Sequence, residues 1–87
     1  MVHALIVPRM KAPVPLPDRF GPQLSILPET GMGYWVADIE TTKGEVFRGV
    51  VIVGGIIVSV DRKEEIPFDP NDIREFTITH DKSAITK

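Results

Sequence analysis

The side chains of this chain best suited to chemistry are two histidines, a spaced pair of carboxylates, three serines and an adjacent pair of aromatics. His3 and His80 stand near opposite ends, with no HxH, HxxxH or HxxE spacing of the kind that turns ligands toward one ion. A zinc site needs three or four ligands, so surface histidines are the expectation and no metal is. Asp38 and Glu40 alternate along a strand-like run, which puts both on one side of it. Acid–base work requires one such carboxyl buried with a raised pKa, whereas this run reads as a solvated face. Ser25, Ser59 and Ser83 have neither a neighbouring base nor a nucleophile-elbow motif. Gly31-Met32-Gly33 is a fragment of a phosphate-binding pattern that precedes a strand, where the full pattern opens a helix. The residues therefore predict no catalytic centre and no cofactor.

Binding is the chemistry that remains. Tyr34 and Trp35 are neighbours in an extended run, and adjacent strand positions face opposite ways, so one ring points away from the core. It either covers the N-terminal segment or meets a partner. Arg9, Lys11 and Arg19 stand against Asp18 alone in the first 28 residues, a local charge of +2 on a chain of net −2. Such an arm serves self-attraction to the acidic body or contact with phosphates. The overall charge supplies no field that attracts nucleic acid, since that binding rests on cations displacing counterions. Val51, Val53 and Ile57 complete the candidate partner-binding set, because the Val50–Val60 segment is apolar on both of its alternating faces.

The elements that position these residues follow from composition and periodicity. With 87 residues, 43 % of them hydrophobic and no cysteine, the chain predicts one small domain with a thin core and without disulfides or thiolate chemistry. The apolar run Val2–Val7 stops at Pro8-Arg9, short of a signal-peptide core or a membrane span, so a cytoplasmic protein is expected.

Six of the eight prolines fall in the first 28 residues, each removing a backbone donor. Residues 1–33 thus read as a proline-rich strap and loop, with a short strand over Val2–Val7, an extended Ala12–Pro17 stretch and a turn over Asp18–Pro22. Val14, Leu16, Phe20, Leu24, Ile26 and Leu27 give the strap apolar surface to bury.

From residue 34 to residue 79 the period becomes that of strands. Tyr34–Thr41 and Glu45–Val53 flank Thr42-Lys43-Gly44, a three-residue loop with glycine at its left-handed position. Gly54-Gly55 joins two apolar runs as a tight hairpin. Gly49 reads as a bend within a strand, and Gly31 as part of a loop. After the charged loop Asp61–Glu64, the Asp69-Pro70 pair caps and starts one short helical turn. Phe76–Thr79 closes the sheet, and residues 80–87 read as a frayed tail.

Residues 36–79 resemble the Sm-like and broader SH3-like small barrels. The resemblance is carried by Gly44-Glu45-Val46-Phe47-Arg48-Gly49-Val50, by Ile66-Pro67-Phe68 to Ile73, and by Phe76-Thr77-Ile78. It implies a sharply bent strand passing at Gly49 from one sheet to another. Sm-like proteins bind RNA through an aspartate and asparagine after the bent strand and a later Arg-Gly or Lys-Gly. Val53-Gly54-Gly55-Ile56 occupies the first place here, and no Arg-Gly lies between Val60 and Ile78.

The sequence therefore predicts an all-β domain, either an SH3-like or Sm-like barrel or a strongly bent antiparallel sheet, with a proline-rich strap and one helical turn. It predicts a noncatalytic interaction or assembly module that self-associates or binds a protein partner. A nucleic-acid-binding small barrel, using Arg9, Lys11 and Arg19 with Tyr34 or Trp35, is the alternative. A soluble monomer does not leave a large apolar face wet, so the second face of the Val50–Val60 hairpin is expected to lie under the strap or a second copy.

Overall fold

The computed structural model describes residues 10–79, and the Val2–Val7 strand and the tail lie outside them. The fold is all-β and antiparallel. Seven strands are β1 (Met10–Lys11), β2 (Val14–Pro15), β3 (Trp35–Thr41), β4 (Val46–Val53), β5 (Ile56–Val60), β6 (Glu65–Ile66) and β7 (Ile73–Thr79). Five of them form one sheet in the order β2-β5-β4-β3-β7, and β1 pairs with β6. The sheet is open. Of the two architectures expected, the closed barrel is not formed, and the strands make an open antiparallel sheet.

Local chemistry explains the turns. Gly44 N–H bonds the Thr41 carbonyl at 2.9 Å with Gly44 at φ +84°, while the buried Thr41 hydroxyl accepts from the amides of Lys43 and Glu45. Gly54 and Gly55 both have positive φ and join the partners Val53 and Ile56, the geometry in which a two-residue turn matches strand twist. Gly49, at φ +68°, sits inside β4 where the β3–β4 register shifts between Ala37 and Ile39. It is a bulge that bends the strand and leaves its direction unchanged. Asp69 accepts the Asn71 amide at 2.9 Å and caps the 3₁₀ turn Pro70–Asp72.

Asp61 and Arg62 also take positive φ, at 51° and 65°, in a turn where Val60 and Lys63 exchange backbone bonds. The Asp61 amide bonds the Gly49 carbonyl at 3.0 Å, so β4 holds a conformation that non-glycine residues rarely adopt.

The strap is more structured than an extended segment and a turn. Asp18–Phe20 forms a 3₁₀ turn, and a helix, α1 (Gly21–Ser25), follows it. Pro22 suits the first helical turn, where its missing N–H has no partner to lose. Leu16, Phe20 and Leu24 enter one core with Ala37, Ile39, Val50, Ile52, Ile57, Ile66, Phe68 and Phe76. Phe20 and Phe76 rings lie 5.3 Å apart, as do Phe47 and Phe68 at 5.0 Å, separations at which tilted aromatic pairs attract.

The strap thus forms the second layer over the inner face, and this corrects the expectation that it covers an additional, outer one. Because the sheet does not close on itself, its concave face needs that layer. On the opposite face the cross-strand partners Val36 and Val51 are buried, while Val53 and Ile56 remain exposed.

Candidate partner-binding surface

Exposed large hydrophobic residues gather at one end of the sheet. Five such side chains stand out among the described residues: Met32 at 97 % exposure, Ile26 at 81 %, Val46 at 53 %, Val53 at 43 % and Ile56 at 38 %. Trp35 faces Ile52 across the β3–β4 pair, so the loop before Trp35 and the hairpin tip after Ile52 leave the sheet at the same end. The Trp35 indole N–H donates to the Leu27 carbonyl at 3.2 Å, which fixes the Ile26–Leu27 segment there too. Gly54, Gly55 and Ile56 share a shallow groove with Gly21 and Leu24 of α1. Four of the five exposed apolar side chains therefore belong to this end, and only Val46 lies at the other.

The loop that carries Met32 is itself rigidly tied. Gly31 and Tyr34 exchange backbone bonds at 3.3 Å, and the Thr30 amide bonds the Tyr34 carbonyl at 3.0 Å. The buried Thr30 hydroxyl accepts the Val36 amide at 2.8 Å and donates to the Thr79 carbonyl at 2.5 Å. It joins β3 and β7 where their pairing ends. Tyr34 lies with its ring against Gly31, where an added Cβ would run into its Cζ. Gly31 is thus part of a close-packed turn and not of an open loop. Met32, held at the apex of an ordered turn, is presented to solvent.

The residues expected to bind partners are distributed unevenly over this geometry. Val53 is exposed at the apolar end, Val51 is buried on the outer face, and Ile57 lies in the core with no exposure. Tyr34 and Trp35 are both half-buried, the first against Gly31 and the second against the core and Leu27. Their rings secure the loop and strap to the sheet, the covering role weighed for them above. Arg9 lies outside the described residues. Lys11 is exposed on β1 opposite Glu65. Arg19 donates to the carbonyls of Asn71 and Ile73 at 3.0 and 3.3 Å and lies 4.6 Å from the centre of the Phe20 ring, so its guanidinium fastens the strap to β7.

The outer face toward the Thr42–Gly44 loop is charged. Asp38 meets Arg48 at 3.2 Å, and Glu40 meets Arg74 at 2.8 Å. The hydrogen bond and the charge of Glu40 raise the Arg74 pKa above its ordinary value. Each carboxylate suspected as half of an acid–base pair thus has its own arginine. Among the described residues no three His, Cys, Asp or Glu side chains gather as metal ligands, and no helix is long and apolar enough to cross a membrane.

Sequence reasoning missed Ile26 and Met32, which it treated as strap and loop. The available signal was a large apolar side chain at the end of the proline-rich segment, for Ile26, and one between two glycines, for Met32. Comparison with protein-family models, curated proteins and solved structures finds no match to this chain.

Proposed function

We infer that the protein is a noncatalytic interaction or assembly module whose docking surface is the apolar end formed by Ile26, Met32, Val53 and Ile56. The observation that carries this reading is the concentration of exposed large apolar side chains at one end of an otherwise charged sheet. Scattered apolar residues are normal on any surface, but gathered ones mark contact sites. Met32 and Ile26 are held out by ordered backbone, which reduces the entropy lost when a partner immobilises them. The glycine tip between Val53 and Ile56 lets a partner approach the backbone closely.

The test replaces Ile26, Met32, Val53 and Ile56 together by threonine and compares the variant with the unsubstituted chain, each purified with its bound partners from the native host. Because all four side chains are exposed, the variant is expected to stay folded, with a circular dichroism spectrum like the parent's, and to lose the bound partner. Retention of the same partner in the same amount would refute the assignment of this surface.

A further inference from the structure

The two edges of the five-stranded sheet are finished in different ways. At the β5 edge the strap pairs Val14 with Ile57 and Pro15 with Ile56, and Leu16 N–H bonds the Gly55 carbonyl at 2.9 Å. Proline on that edge blocks further strand addition. Among the described residues the β7 edge has no such cover. The alternation of backbone groups identifies which ones are open. Thr41 bonds Glu45 of the β4 side, and the next amide, Thr42 N–H, bonds the Asp72 carbonyl on the β7 side at 2.8 Å. Counting by twos along the paired register, Glu40 and Asp38 also face β7, so Thr77 directs its amide and carbonyl at Asp38. Phe76 and Ile78 therefore direct theirs away from the sheet. Farther up the edge, Arg19 already occupies the Ile73 carbonyl.

We propose that β7 is a homotypic edge, and that a second copy of this chain adds to it antiparallel about a two-fold axis through Thr77. The four open groups match themselves under that operation. Phe76 exchanges both hydrogen bonds with Ile78 of the partner subunit, and Ile78 with Phe76 of the partner subunit, so all of them are satisfied. Thr77 then lies opposite Thr77 of the partner subunit as a non-hydrogen-bonded pair, which is favourable for two threonines. Glu75 faces Thr79 of the partner subunit, and no like charges are set opposite each other. On the inner face Phe76 and the half-buried Ile78 continue the apolar surface across the seam. Arg19 lies beyond the paired segment and keeps its carbonyls. The product is a continuous ten-stranded sheet with a strap-covered edge at each end. The seam adjoins the apolar end at Thr79, but its paired groups, on Phe76 and Ile78, are not among the four side chains of that end, so different variants test the two surfaces.

Sedimentation and light scattering of the full-length chain test the seam, together with two substitutions of the exposed Thr77. The unsubstituted chain is expected to be a dimer. Thr77→Lys, which sets two like charges across the axis while leaving the bonds to β3 in place, is expected to give a folded monomer. Thr77→Cys gives the chain its sole thiol, and on the axis it is within reach of its symmetry mate. Under mild oxidation it is expected to become a covalent dimer, whereas Ser25→Cys, on the exposed helix away from the axis, is not. Should Thr77→Lys fail to fold, the cysteine pair decides. A monomeric parent, a dimer indifferent to Thr77→Lys, or equal crosslinking through Thr77→Cys and Ser25→Cys would overturn the proposal. A dimer dissolved only by the fourfold threonine variant would leave the apolar end standing and remove the seam.

Discussion

Replacing Thr30 by valine keeps the shape of the side chain and removes one oxygen. That oxygen accepts the Val36 amide at 2.8 Å and donates to the Thr79 carbonyl at 2.5 Å, in a residue only 7 % exposed. Valine offers no acceptor, and Val36 is buried where water does not readily replace one. A buried donor deprived of its partner costs about 1–3 kcal/mol, whereas an ordinary exposed hydrogen bond is worth about 1 kcal/mol or less. Taking the middle of that range, roughly 2 kcal/mol, a domain of this size should melt about 8–16 °C lower. Thr30→Ser retains the hydroxyl and loses one methyl group, so its cost should be about half as large. Urea unfolding followed by the fluorescence of the single tryptophan, Trp35, measures both variants, and hydrogen exchange at the Val36 amide reports the site directly. Exchange there should accelerate in Thr30→Val and stay slow in Thr30→Ser. If valine proves within about 0.5 kcal/mol of the parent, the surface-substitution range, the hydroxyl does not join the two strands and the reasoning is wrong.

Changing Gly54 and Gly55 together to valine forces two side chains into left-handed backbone at φ +58° and +78°, at roughly 1–2 kcal/mol each. Thermal melting should show the double variant clearly destabilised, and an unchanged melting temperature would contradict the turn. Gly49→Val meets the same penalty, about 1–2 kcal/mol, within the bend of β4. Gly31→Val carries no positive-φ strain and mainly displaces the Tyr34 ring, so it should perturb tyrosine fluorescence more than stability; the reverse order in a denaturation series would count against the bulge at Gly49.

Features set by short-range stereochemistry were legible in the sequence. The Gly54-Gly55 tip, the Thr42–Gly44 loop, the Asp69 cap and the bend at Gly49 each rest on a residue type that few others can replace at that backbone geometry. Long-range features were less legible. Nothing local in Arg62 announces a left-handed residue, and the turn is recognised only from the backbone bonds exchanged by Val60 and Lys63 and from the bond of the Asp61 amide to the Gly49 carbonyl. The helix α1 was hidden by the proline-rich segment around it, although its own Pro22 falls where a helix tolerates one. Ile57 looked available because it belongs to an apolar run, and alternation alone does not tell the concave face from the convex one. Ile26 and Met32 were overlooked for the complementary reason, since exposure in a loop depends on where the rest of the chain leaves room.

The strap also imposes an order of events on a chain made from its N-terminus. Met10 and Lys11 pair with Ile66 and Glu65, and Val14 and Pro15 with Ile57 and Ile56, partners that do not exist until most of the domain has been synthesised. The β3-β4-β5 meander, linked by short loops, needs no such waiting and closes its contacts over small separations in sequence. A nascent chain therefore carries Leu16, Phe20 and Leu24 without their destination while the meander forms with its concave face bare. During that interval the proline-rich segment serves the growing chain in another capacity. Pro13, Pro15 and Pro17 offer no amide to a neighbouring strand, so the segment is poorly suited to continuous pairing with other copies before it docks.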